Sequence, residues 1–251
     1  MASVKSDDIF SAKLMDLANL SEKIKAPKFS MFLDERQIYQ AQRLLSVSTR
    51  ERALFFGGYP EASRKMCCVY PDFLEPEQIV FPISVLTAYY RSSDMLSHRD
   101  FLGSLMALGI KREVLGDILV GEGMALIYLF DKHVPYLLEN IQKIGRVGVR
   151  LTEGADPSFV YTPKFHNISG TVASLRLDSV VALSAGVSRE KAAGFIREGL
   201  VSVNYEQAES VKLQLKAGDV FSIRGYGKYV LENDIRVTKK ERLYVNIKKY
   251  L

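Results

Sequence analysis

Between Ile79 and Thr152 the apolar segments change period in a fixed order, and that order narrows the fold more than any other feature of the chain. Ile83 to Tyr89 reads as a strand, with Pro82 just ahead of it because proline cannot donate to a ladder. His98 to Leu108 has helical spacing, with Leu102, Leu105 and Met106 on one side. Asp117 to Val120 and Met124 to Phe130 flank the hairpin turn Gly121-Glu122-Gly123. Lys132 to Ile144 is the second helix and Val147 to Leu151 the last strand. Strand, helix, strand, strand, helix, strand is the sequence of a ferredoxin-like βαββαβ domain, expected over 76–152.

The flanks give the remaining boundaries. Residues 1–75 predict a small N-terminal α/β domain. Asp34 caps a helix over 34–45, whose Ile38, Ala41 and Leu45 share one face, and strands follow at Leu54–Pro60 and Arg64–Tyr70. Pro71 and Pro76 bracket its end. Residues 153–170 are polar, with Gly154, Pro157, Pro163 and Gly170, and read as a linker. Residues 171–251 form the last unit. The fold class is α+β. No apolar run reaches the roughly 18 residues of a membrane span, and Met1 to Asp8 lacks the pattern of a signal peptide. The adjacent Cys67 and Cys68 offer neither a disulfide framework nor a spaced metal-ligand pair, so a reducing cytoplasm is expected, with no membrane partner.

Charge is unevenly placed. The chain has 34 Lys and Arg against 29 Asp and Glu. Residues 174–251 hold 14 of the basic and 9 of the acidic residues, and the other 20 and 20 cancel, so the whole excess lies in the last third. Clustered positive charge favours a polyanion, because bound phosphates release condensed counterions.

That last third carries the most specific pattern. Leu177, Val180, Val181 and Ser184 line one face of a helix that Gly186 closes. Ser188 caps a second helix, on which Ala192, Ala193 and Ile196 allow close packing and Gly199 ends the run. Leu200 to Val203 is a strand, Val211, Leu213 and Leu215 alternate, and Gly218-Asp219 turns into the strand Val220 to Arg224. Arg-Leu-Asp at 176–178, Ser-Arg at 188–189, Gly-x-Val-x-Val-Asn at 199–204 and Gly-Asp at 218–219 together resemble the S4 RNA-binding domain, over about 172–232. Tyr205 departs from it where many relatives carry Gly, so a different turn is expected there. The resemblance implies RNA binding through Arg176, Ser188, Arg189, Lys191 and Arg197, with Arg224 and Lys228 beside the glycines 225 and 227. Guanidinium forks suit phosphate, and the free amides at the Ser188 helix start add an anion site. Asp178 is expected to orient Arg176 or cap a helix.

Ser97 to Ile118, Phe56-Gly57-Gly58-Tyr59-Pro60 and the tail Thr238-Lys239-Lys240-Glu241-Arg242 resemble the YlmH family, with Glu241 where Gly is usual. That resemblance implies an N-terminal domain, an RRM-like middle domain and a C-terminal S4 domain with a β hairpin. It further implies structured rRNA or tRNA as ligand and the ribosome or its large subunit as partner. Stalled large-subunit complexes in ribosome-associated quality control, and a link to division genes, follow from similarity alone. A pseudouridine-synthase-type RNA-modifying enzyme and a cell-division adaptor are the alternatives; no catalytic segment is found for the first, so the chain reads as a non-enzyme. His98 and Asp100 read as a surface group and a cap, and Arg99, Lys111 and Arg112 as a second RNA or ribosome contact. His98, His133 and His166 lie too far apart in sequence for a metal motif, and neither Gly57-Gly58 nor Gly121-Glu122-Gly123 has the spacing of a nucleotide loop, so no cofactor is expected. Tyr128 and Phe130 share a strand face, where an RRM would stack bases. The basic-Gly-aromatic consensus is absent there, which favours core or interface aromatics.

Overall fold

Helix α1 (Ala2–Ile24) begins an α/β layer that continues through β1 (Lys28–Phe29), α2 (Glu35–Leu45), β2 (Ala53–Phe56) and β3 (Met66–Val69). The computed structural model describes residues 2–45, 52–161 and 165–250, which divide into two compact units, Met1–Tyr161 and Thr162–Leu251. Asp34 does start α2: its carboxylate accepts from the Gln37 amide at 2.9 Å while the Gln37 side chain accepts from the Asp34 amide, a reciprocal cap. Leu14 and Ala18 of α1 close over Ala41 and Leu45 of α2 and over Cys67 and Val69 of β3. Both cysteines are free and buried, and burial pushes each thiol up to about 12, far from a reactive thiolate.

The same unit holds the middle sheet. Its elements are β4 (Ile83–Tyr89), α3 (His98–Ala107), β5 (Leu115–Val120), β6 (Met124–Phe130) and α4 (Val134–Asn140). After the short hairpin of β7 (Lys143–Ile144) and β8 (Val147–Gly148) comes β9 (Arg150–Glu153). The antiparallel order β5-β6-β4-β9 is that of a ferredoxin-like fold. Pro82 lies outside the β4 ladder, and its carbonyl accepts from the Asp131 amide. Three details differ from the sequence reading. The second helix ends at Asn140, because 143–148 forms its own hairpin around Gly145. The last strand is therefore Arg150–Glu153, not Val147–Leu151. On α3 the core positions are Phe101 and Leu105, while Met106 faces water.

The second unit contains β10 (Phe165–Val172), α5 (Leu177–Ala185), α6 (Arg189–Arg197), β11 (Val201–Val203), β12 (Glu206–Gln207), β13 (Val220–Ile223), β14 (Gly227–Leu231), β15 (Arg236–Val237) and β16 (Leu243–Tyr250). Its sheet runs β10-β16-β14-β13-β11-β12, with β15 paired to β16. Helices α5 and α6 bury Leu177, Val180, Val181, Ala192 and Ile196 against Phe221, Ile223, Tyr229, Leu231, Val245 and Ile247. The polar stretch 153–170 is not a linker throughout. Phe165–Val172 is a full strand paired with β16 over eight residues, and Asp156 bonds Tyr89 in the first unit; Pro163 lies outside the described residues. No described helix is long and apolar enough to cross a membrane.

Candidate nucleic-acid interface

The S4-like helices begin with Arg176, held in extended backbone. It bridges Gln214, and the flanking amides of Leu177 and Leu215 bond the carbonyls of Leu213 and Leu175. Two residues on, Asp178 faces inward at 6% exposure. Its carboxylate accepts from Arg176 Nε at 3.2 Å and Nη2 at 2.9 Å, and from Arg189 Nη2 at 2.8 Å. Burial pushes the Asp178 carboxyl up, but the hydrogen bonds and charges of the two guanidiniums outweigh it and hold it down to about 2. A single buried anion thus fixes two arginines, one just ahead of α5 and one at the start of α6. Asp178 orients Arg176, as expected, and also Arg189, which sequence spacing alone does not reveal. Asp178 takes only part of each guanidinium's five donors, and the side chains keep 31% and 55% exposure, so outward donors remain for phosphate.

Ser188 caps α6, its Oγ accepting from the Lys191 amide at 3.2 Å. Exposed Lys191 reaches over the Phe195 ring, which packs 5.2 Å from Tyr226 in the turn after Arg224. Arg197, at the helix end, and Arg224 are exposed. The structure therefore joins Arg176 to Arg189 through Asp178, and runs Lys191, Phe195 and Tyr226 toward Arg224. It does not bring Lys228 there. Tyr229 beside it is in the core under the helices, so Lys228 projects from the opposite face of the sheet, with its Nζ 4.7 Å from the Tyr250 ring.

The turn at Tyr205 corrects the sequence reading. Asn204 (φ 47°) and Tyr205 (φ 68°) both take positive φ at the tip of the β11–β12 hairpin, so the usual two-residue turn is kept despite the tyrosine. Asn204 supports it by donating to Asp219 at 2.9 Å and accepting from the Val220 amide at 3.1 Å. Glu241 likewise adopts φ 55°, the conformation that makes Gly usual at that place.

In the first unit, the sheet face that an RRM offers to RNA is covered. Tyr128 is 7% exposed, lies 4.9 Å from the Tyr59 ring, and clusters with Leu119, Leu126, Ile83, Val85 and Phe159. Asp117 secures that cover by accepting from the Tyr59 hydroxyl at 2.8 Å and from the Ser63 and Arg64 amides. Gly58, at φ 102°, lets the Phe56–Pro60 turn lie against the Tyr128 ring. This assigns the turn a structural role that sequence spacing could not supply. Tyr128 is therefore an interface aromatic.

Of the second expected contact, Arg99 and Lys111 are exposed. Arg112 is not a surface cation. Its Nη1 donates to the Leu115 and Gly116 carbonyls at 3.0 and 3.1 Å, and burial holds its basicity below the ordinary guanidinium range. Asp100 turns away from any acid–base role with His98: its Oδ2 accepts from the Ser97 amide and hydroxyl at 2.9 and 2.6 Å, capping α3. Among the described residues no group of three or more His, Cys, Asp or Glu could hold a metal.

Comparison with known proteins agrees with this layout. Residues 76–156 match the family model described as "Putative RNA-binding domain in YlmH", and residues 175–221 match the S4 domain. The chain is 29% identical over 251 residues to the Ribosome-associated protein quality control protein P2 of Bacillus subtilis (strain 168), covering 98% of this chain and 96% of that protein. The solved Cell division protein ylmH from Streptococcus pneumoniae is similar with a TM-score of 0.50 and 28% identity, over 60% of this chain and 92% of that one.

Proposed function

Because the chain belongs to the YlmH family of S4-domain proteins, we propose that it binds structured RNA, rRNA or tRNA, on the ribosome through the Arg176–Asp178–Arg189 cluster and the start of α6. The observation that carries this reading is the shared carboxylate. A solvated arginine finds phosphate by diffusion of its own flexible stem, whereas two guanidiniums held on Asp178 at 2.9 and 2.8 Å keep a set spacing before RNA arrives. Such a pair reads the phosphate geometry of a folded RNA rather than a base sequence. The Lys191 ammonium, at the helix start that Ser188 caps, extends the anion surface. The role is binding, not catalysis. Action on stalled large-subunit complexes is the process we favour, from the name of the B. subtilis relative.

Arg99 and Lys111, exposed around α3, are proposed as a second and weaker ribosome contact of the middle domain. Two weak surfaces on one chain raise each other's local concentration and tighten binding.

Ribosome affinity of Arg189→Ala and Lys191→Ala across a salt series tests the main reading. Each should weaken binding by about 1–3 kcal/mol and flatten the salt dependence by roughly one phosphate. An unchanged slope in both, with the fold intact, removes this surface from the site.

A further inference from the structure

The S4-like helices leave one face of the C-terminal sheet uncovered, and its chemistry is unusual. Alternation along β16 sends Val245 and Ile247 inward and Tyr244, Asn246, Lys248 and Tyr250 outward. Register places Lys228, beyond the Tyr229–Lys249 pair of β14 and β16, next to Tyr250, which pairs directly with Phe165 of β10. The side chains meet accordingly. The Phe165 and Tyr250 rings lie 5.1 Å apart, and Lys228 Nζ sits 4.7 Å from the Tyr250 ring and 5.5 Å from the Tyr205 ring. Lys248 Nζ lies 5.7 Å from the Phe165 ring. A water-facing sheet surface gains nothing in core packing from three aromatic side chains in a row, and α5 and α6 lie on the other side. Tyr205 adds a separate indication. It occupies a positive-φ turn position that Gly or Asn fills with less strain, and from there its ring reaches the same lysine.

We propose that this outer face is a second RNA site, distinct from the helix surface, which takes unpaired nucleobases of a single-stranded segment against Tyr250, Tyr205 and Phe165 while Lys228 meets the phosphate backbone. Every base has a π-face, so aromatic rings interleaved with cations bind single strands with little regard to sequence. A duplex keeps its bases stacked on one another and cannot use the rings. Lys248, paired with Glu232 at 2.6 Å, lines the same strip beside the Phe165 ring.

The chain contains no tryptophan, so Tyr250→Trp in the full-length protein supplies a single reporter. Titration with a ten-nucleotide oligoadenylate should quench it saturably, and a blunt-ended RNA duplex at equal phosphate concentration should not. In that background Lys228→Ala and Phe165→Leu should each weaken the quench midpoint about fivefold or more. Tyr205→Gly, read in the same way, should weaken it while raising the thermal midpoint, an opposition that a purely structural tyrosine would not give. Arg189→Ala should leave the oligoadenylate midpoint in place while weakening folded RNA, so failure of this site and failure of the helix surface are read separately. Absence of saturable quenching, or equal quenching by the duplex, overturns the proposal and leaves the strip to a protein partner.

Discussion

Replacing Asp178 with asparagine should convert the structural argument for the arginine pair into a pH-dependent number. The carboxyl falls from 3.8 to about 2 in the folded chain; nearly two pH units correspond to about 2 kcal/mol. That figure sits below the 3–5 kcal/mol typical of breaking a fully buried pair, as it should, because Arg176 and Arg189 are 31% and 55% exposed and can rehydrate. The sign follows from the depressed value. The stabilisation is complete above about pH 5, falls to roughly half near pH 3, and is gone only below about pH 1, where both folded and unfolded carboxyls are protonated. Opening free energies of the α5 amides, from native-state hydrogen exchange of the full chain at pH 6, 4 and 3, isolate this unit from the other. Asp178→Asn should lower them by about 2 kcal/mol at pH 6 and by about half as much at pH 3. A deficit that stays constant across the three pH values would mean that packing, not the carboxylate charge, holds the cluster.

Gly58→Ala should destabilise the first unit by about 2–4 kcal/mol, because the new Cβ would run into the Tyr128 ring at a backbone conformation that alanine resists; thermal unfolding measures it, and RNA affinity of the folded fraction should not change. Arg112→Ala should cost about 1–3 kcal/mol in urea unfolding, since the Leu115 and Gly116 carbonyls lose a charged donor. Lys111→Glu, at an exposed position, should stay within about 0.5 kcal/mol of the parent in that assay but weaken co-sedimentation with ribosomes.

The two S4-like helices were legible because their ends are marked by residues with specific backbone duties, Ser188 at a start and Gly186 at a stop. The middle domain was legible from its alternating periods. Strand β10 was not, for a local reason. Its inward positions are Ile168, Gly170 and Val172, and the central one is glycine because the Leu183 side chain fills the space a Cβ would need. That substitution erases the apolar alternation and leaves a polar, glycine-containing stretch that resembles a connection. The Asp178–Arg189 contact was equally hidden, since eleven residues and a helix turn separate the partners and only packing of α5 on α6 brings them together. Arg112 misled in the opposite direction: beside Lys111 it looks like part of a basic surface, and only the carbonyls of the following strand show where its guanidinium goes.

The cover over Tyr128 has a practical consequence for dissecting the protein. Residue 76 is the natural place to cut, and the family model for the middle domain also begins there. A chain starting at that point would lack Tyr59, Ser63 and Arg64, the partners of Asp117, and would bare Leu119, Leu126 and Tyr128 on one flat sheet face. Apolar patches of this kind drive self-association. The isolated middle domain should therefore tend to precipitate or dimerise, and any RNA it retains through the bared tyrosine would be an artefact of truncation.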